Sequence, residues 1–452
     1  MSRYTSATDA DRAEMLAAIG AGSVDELFEE IPAGVRLGRE LDLPEGMAEQ
    51  DVAEHLTRLA ERNRHADAEV GFLGAGMYDH YVPSLIDSIL QRSEFLTPYT
   101  PYQPEISQGG LQVMFEYQTA ISELTGLPVS NASVYEGPSA VAAAGYMAKL
   151  ETKRSRLVVS RGLHPHSREA LATHARGYGM EVVEVALDEE GRTTPDALAA
   201  AIDEDTAAVF VAQPNFLGTV EELGELGEAA KASGALYVCQ ADPLPLAILK
   251  PPGEQGVDIC VGEGQTLGNR LDFGGPSFGF YAAAERFIRR MPGRIAGETR
   301  DVEGRRGFVL TLQTREQHIR REKATHNICT AQALNALAGV IYLSWLGRRG
   351  VVELGELMLR RTHYAREALV EAGCEPINPG AVVREFAVRV PGDLDTLFER
   401  ARAKQINPGY RLRTTYPEHE DGLLVAITER RTREQIDALA KLVASVREGV
   451  AA

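Results

Sequence analysis

From about residue 107 the chain alternates between two hydrophobic periods. "GGLQVMFEYQTAISELTGL" and "SAVAAAGYMAKLETK" repeat at helical spacing, the first closed by Gly126 and the second rich in small residues suited to close packing. Short apolar runs then alternate with helical ones: "RLVVS", "SREALATHARGYG", "EVVEVAL", "TPDALAAAID", "TAAVFVAQ", "ELGEAAKASG" and "ALYVCQAD". Strands that alternate with helices predict right-handed crossovers, and so an α/β fold with a mostly parallel sheet. Ligands of such sheets lie at the carboxyl ends of the strands. The loops "SRGLHPH", "AQPNFLG", "QADPLP" and "GEGQTLG" are therefore the places to search.

The flanks read differently. "DADRAEMLAAIGAGSVDELFEEIP" predicts two short amphipathic helices, the second capped by Ser23 and ended by Pro32, and "MAEQDVAEHLTRLAERNRHA" predicts a third. After "FGGPSFGF" a long helix is expected from about Thr330, leading into "REFAVRV", "LDTLFERARAK", "LLVAIT" and "TREQIDALAKLVASV". The expected organisation is a helical arm over 1–66, a large α/β domain over 67–329, and a linker helix with a small α+β domain over 330–452.

Composition narrows the function classes. The 452 residues carry a formal charge of −18, which argues against a nucleic-acid surface, since that needs a basic patch to neutralise phosphates. No run approaches the roughly 18 apolar residues of a membrane span, and "MSRYTSATDADRAEML" lacks the apolar core of a signal peptide. Four scattered cysteines without C-x-x-C spacing read as reduced core residues of a cytoplasmic protein.

The chemistry concentrates at the strand ends. Asp242 ends a buried strand, a costly place for a carboxylate unless it meets a cation. A pyridinium nitrogen is one such cation, and a turn or cap role before Pro243 is the plain alternative. Twenty-three residues later, in "GVDICVGEGQTLGNRLDFGGPSFGF", Gln265 stands where the lysine of a pyridoxal phosphate enzyme is expected. The seven lysines (149, 153, 231, 250, 323, 404 and 441) all lie elsewhere, and covalent capture of the cofactor requires an amine. Ser139 begins a small-residue helix whose N–H groups are candidates for a phosphate, and Asn215 sits in the strand-end loop "AQPNFLG". His164 and His166 lack a third ligand nearby, so no metal is expected, and "GAG" in "GFLGAGMYDH" is too short for a dinucleotide fingerprint.

"FLGAGMYDHYVP", "EFLTPYTPYQPEISQGGLQVMFEYQTAISELTGL", "NASVYEGPSA", "QPNFLG" and "VEGRRGFVLTLQTREQHIRREKATHNICT" are long and unlike other pyridoxal enzymes. Through them the chain resembles subunit 1 of the split P-proteins of the glycine cleavage system, the decarboxylating glycine dehydrogenases, over essentially its whole length. The resemblance implies a fold-type-I pyridoxal phosphate transferase architecture and an α2β2 heterotetramer with a subunit 2 that bears the Schiff-base lysine. Glycine is then decarboxylated and its aminomethyl group passes to the lipoyl group of H-protein. This subunit is expected to be inactive alone, to keep only a vestigial pocket (Asp242, Gln265, Ser139 and Asn215), and to supply no catalytic lysine. Across the dimer interface, Tyr99, Tyr102 and Gln103 of "TPYTPYQPE" and Thr325, His326 and Asn327 of "KATHNICT" are expected to reach the partner's cofactor. Packing and helix capping are the plain alternatives for these six. Family members more often carry serine where this chain has His326. A scaffold or H-protein-docking subunit without site residues is the competing function.

Overall fold

The computed structural model describes residues 6–448 and divides into two compact units, Met1–Arg64 and His65–Ala452. In the first unit, Thr8 and Asp11 form a reciprocal capping box that starts the helix Asp9–Ile19, and Gly20 in the left-handed region ends it. The helix Glu49–Ala60 also forms as expected. The predicted helix at "SVDELFEEIP" is instead a single 3-10 turn, Asp25–Phe28, with Val24 at its cap position. One turn with Pro32 close behind cannot repay helix nucleation.

A seven-stranded sheet centres the second unit. Its strands are β1 (Val129–Ser130), β2 (Arg156–Ser160), β3 (Glu181–Val185), β4 (Thr206–Gln213), β5 (Leu236–Ala241), β6 (Ile259–Glu263) and β7 (Gly279–Ala283). Their order is β1-β7-β6-β5-β4-β2-β3, parallel from β6 to β3, with β7 antiparallel to β6 and β1 antiparallel to β7. The run "TAAVFVAQ" is buried at every position because both faces are covered. Alternate residues serve opposite cores. Val209, Val211, Tyr237 and Cys260 pack with the helices Gln108–Thr125 and Leu223–Ser233, whereas Ala208, Phe210, Val238 and Ile259 pack with Gly137–Thr152 and Pro165–Tyr178. This is the architecture of fold-type-I pyridoxal phosphate enzymes.

The long helix, Ala333–Glu371, begins three residues later than expected and breaks at Gly347 (φ 63°, ψ 177°), a conformation that side chains other than glycine rarely adopt. It leads to an antiparallel sheet of Glu375–Pro376, Glu385–Arg389, Gly422–Ala426 and Tyr410–Arg411, packed against Leu394–Ala403 and Arg433–Glu448. The antiparallel hairpin Ile295–Arg300 with Arg306–Thr311 escaped the sequence reading, since its strands mix apolar residues with glycine and charge. Val70–Gly71 pairs in parallel with Ile406–Asn407 and thereby delivers the following segment, "FLGAGMYDH", to the strand ends.

Candidate functional site

A cavity of about 560 Å³ opens at the carboxyl ends of β4, β5 and β6. Ala212, Gln240, Asp242 and Glu263 come from those strand ends, Tyr78 from the "FLGAGMYDH" segment, and Arg384 and Glu385 from the small sheet. Asp242 does meet a cation, and that cation is Arg384: its guanidinium pairs with Asp242 Oδ2, contacts His80 Nε2, and lies 3.4 Å from the centroid of the Tyr78 ring. His80 Nδ1 in turn donates to Glu429 Oε2 at 2.7 Å, the tautomer required when Nε2 accepts from arginine. A fully desolvated guanidinium with a carboxylate, an imidazole and an aromatic face around it is held firmly.

Glu385 lies beside this group. Its Oε1 accepts from the Ala75 N–H at 2.7 Å and its Oε2 from the Tyr78 hydroxyl at 2.7 Å. Burial nevertheless pushes its carboxyl up to about 7, against those two hydrogen bonds. His164 forms part of the opposite wall. It donates from Nε2 to the Ala75 carbonyl at 2.8 Å, accepts at Nδ1 from the His166 N–H, and is held at about 4 chiefly by burial. The ring is therefore neutral near pH 7. Gly76 (φ 101°) permits the close approach, since a Cβ there would lie 2.6 Å from His164 Nε2.

Gln265 stands behind the cavity wall, 1% exposed. Its amide oxygen accepts from the Tyr78 N–H, and its amide nitrogen donates to the carbonyls of Tyr78 and Asn269. Asn215 lines the cavity, but its side chain is also fully engaged. It donates to the Gly191 carbonyl and Glu221, and accepts from Leu217 and Thr219, which shapes the turn after β4. Ser139 lies outside the cavity lining, and the free N–H groups expected at its helix are not free. Gly137 donates to Glu263 Oε2 at 2.9 Å, Pro138 has no N–H, Ser139 donates to Glu136 Oε1 at 2.9 Å, and Ala140 donates to the Glu136 carbonyl. Glu263 also accepts from Ser277 and from the Gln265 N–H, and burial raises its carboxyl.

These residues do not fit pyridoxal phosphate. The position of the amine carries an amide already paired on both sides, the acid for the ring nitrogen is neutralised by Arg384, and the phosphate's helix end is filled by two carboxylates. Sequence reasoning missed Arg384, Glu385, Tyr78, Glu136 and Glu263, although "FLGAGMYDHYVP" and "NASVYEGPSA" contain two of them, Tyr78 and Glu136, and mark the segments.

The six residues expected to face a partner are spread over a second area. Tyr99 is 81% exposed and Gln103 and Asn327 are exposed. Tyr102 is anchored: its hydroxyl accepts from Arg294 at 2.9 Å, and its ring lies 5.5 Å from that of His318. His326 is buried and held at about 4 by burial and by the charges of Arg315 and Arg294. Its Nδ1 accepts from the Ile328 N–H, whereas its Nε2 and the Thr325 hydroxyl have no partner among the described residues. Arg294 contacts Tyr102 directly and its charge acts on His326. Gln103 and Asn327 follow Tyr102 and His326 in the chain, but among the described residues no side-chain hydrogen bond or ion pair of Tyr99, Gln103 or Asn327 is seen. Among the described residues no group of three or more His, Cys, Asp or Glu side chains could hold a metal ion, and no helix is long and apolar enough to cross a membrane.

Comparison with known proteins identifies the family. The family model "Glycine cleavage system P-protein" matches residues 2–443. A protein of Carboxydothermus hydrogenoformans named probable glycine dehydrogenase (decarboxylating) subunit 1 is 49% identical, the match covering 98% of this chain and 99% of that one. Its namesake from Moorella thermoacetica is 48% identical over 96% of this chain and 98% of its own. A crystal structure of glycine decarboxylase (P-protein) in inhibitor-bound form superposes with a TM-score of 0.89 at 42% identity, covering 98% of this chain and 100% of that one. A sphingosine-1-phosphate lyase from Burkholderia pseudomallei shares the fold alone, with a TM-score of 0.65 at 15% identity, 93% of this chain and 96% of that one being covered. By sequence and by fold, the chain belongs to the P-protein family of the glycine cleavage system, on its subunit 1 branch.

Proposed function

We propose that this chain completes, in trans, the glycine-decarboxylating site of a lysine-bearing subunit 2 and holds no cofactor of its own. The observation that carries the reading is Gln265: the amine position is occupied by an amide whose oxygen and nitrogen are both bonded to Tyr78. Pyridoxal phosphate on the partner's lysine supplies the electron sink for loss of the glycine carboxylate. The residues of this chain orient, donate hydrogen bonds and exclude water. Thr325 and His326 support such a role, because a buried hydroxyl and a buried ring nitrogen without partners are costly unless a further group meets them. Tyr102, fixed by Arg294, and the exposed Tyr99 and Gln103 on a proline-stiffened loop add an aromatic and polar edge. The exposed Asn327 adds an amide. The assembly we infer is a cytoplasmic α2β2 heterotetramer that passes the aminomethyl group to lipoylated H-protein, and the single chain is inactive.

The test is glycine–bicarbonate exchange by the complex reconstituted with subunit 2. Tyr99→Phe and Asn327→Ala each lower exchange without dissociating the complex on a sizing column. Unchanged exchange in both variants would instead support a scaffold or H-protein-docking subunit.

A further inference from the structure

We infer that the carboxylate of Glu263, in addition to the missing amine, shuts phosphate-bearing ligands out of this chain's own cavity. Helix N-termini bind phosphate because their first N–H groups are unpaired and the helix dipole favours negative charge there. At Gly137–Thr152 those conditions are cancelled from within the chain. Glu136 and Glu263 between them take the two N–H groups, at Ser139 and Gly137, that the helix leaves open. They also place two negative charges where a phosphate dianion would sit. Glu136 is the helix's own cap, a local feature that any helix start can carry. Glu263 is different: it reaches Gly137 from the end of β6, two residues before Gln265, and is pinned there by Ser277 and the Gln265 N–H.

The rest of the cavity reinforces the exclusion. Its lining carries the acidic side chains of Glu136, Asp242 and Glu263, with Glu385 partly protonated near neutral pH, against one guanidinium, Arg384, and that guanidinium is paired with Asp242. Two phosphate charges entering a pocket with this excess of acidic groups meet repulsion. Restoring the amine alone therefore leaves the cavity closed to the phosphate while a phosphate-free aldehyde of the same ring still enters. The inference rests on the proposed reading only in taking pyridoxal phosphate as the complex's cofactor.

The experiment uses the full chain as Gln265→Lys and as Gln265→Lys with Glu263→Gln. Each is incubated with pyridoxal phosphate or with pyridoxal and reduced with borohydride. The introduced amine condenses with the aldehyde, releasing water, and hydride reduces the C=N bond to a stable secondary amine. Mass spectrometry of the peptide that contains position 265 measures the yield, independently of any turnover. The single variant is expected to take pyridoxal at least about tenfold better than pyridoxal phosphate, and Glu263→Gln to close most of that gap, as befits loss of one charged partner. Equal labelling of the single variant by both aldehydes overturns the inference, as does a ratio that Glu263→Gln leaves unchanged. Failure of both aldehydes in both variants overturns it too, because closure then does not depend on the phosphate. Thermal melting confirms that each variant is folded, and Glu263→Ser replaces the glutamine variant if that one melts early. Failure of the proposed function would appear in exchange by the reconstituted complex, a separate measurement.

Discussion

The side-chain amide of Gln265 pairs with both backbone groups of Tyr78, accepting from its N–H at 2.9 Å and donating to its carbonyl at 3.1 Å. A third bond, to the Asn269 carbonyl at 2.9 Å, completes the amide. The side chain thus acts as a strut between the loop after β6 and the segment carrying Tyr78, His80 and Ala75. Gln265→Ala strands a buried N–H and a carbonyl, so destabilisation of about 2–4 kcal/mol is expected in urea unfolding. A loss below about 0.5 kcal/mol would show that the strut is dispensable.

Arg384, which is buried, and the partly exposed Asp242 form an ion pair whose members lie next to strand ends of the small sheet and the large one. Removing one partner of such a pair leaves the other charge uncompensated. Arg384→Met should therefore cost about 3–5 kcal/mol, and adding Asp242→Asn should recover much of it. Additive losses in the double variant would mean that the two groups do not couple.

Glu385 links stability to pH in the alkaline direction. Its carboxyl is raised by burial from 4.5 to about 7, so the folded state holds that proton more tightly than the unfolded chain. The contribution is fully present below pH 4.5 and is lost as pH rises through about 7. Between pH 5 and 8 the wild type should lose about 2–3 kcal/mol from this group, and Glu385→Gln should remove that part of the slope. Identical slopes for the two proteins rule the assignment out.

His164 and His326 act in the opposite sense. Both are held at about 4 against 6.5, so the folded state resists their protonation. The stability they confer is complete above pH 6.5 and falls as pH drops toward 4. Each replacement by asparagine should shrink the difference in stability between pH 7 and pH 5 by about 2 kcal/mol. An unchanged difference would mean that the ring titrates normally in the fold.

The sheet was largely legible because local periodicity carries it. "TAAVFVAQ" is an unbroken apolar run, and the structure makes all eight residues a doubly covered strand. The hairpin at Ile295–Thr311 was hidden, because an edge of mixed glycine and charge has no clear period. At Asp25–Phe28 the spacing predicts a helix where the structure forms a 3-10 turn, since spacing alone does not register the cost of nucleation. At the site, the sequence marks Asp242 as a strand-end carboxylate that needs a partner. Its partner, 142 residues away, follows from no local pattern.

What the sequence alone determined is the alternation of strands and helices, the absence of a lysine from position 265, and the motifs that place the chain in its family. These are properties of composition and spacing, readable without coordinates. Only the tertiary structure decided what fills the places a cofactor would need. Gln265 meets Tyr78 across 187 residues, Glu263 meets Gly137 across 126, and Arg384 meets Asp242. Hydrogen bonds and ion pairs depend on position to within a fraction of an ångström. Such contacts exist only once the sheet, the helix ends and the small sheet are packed together.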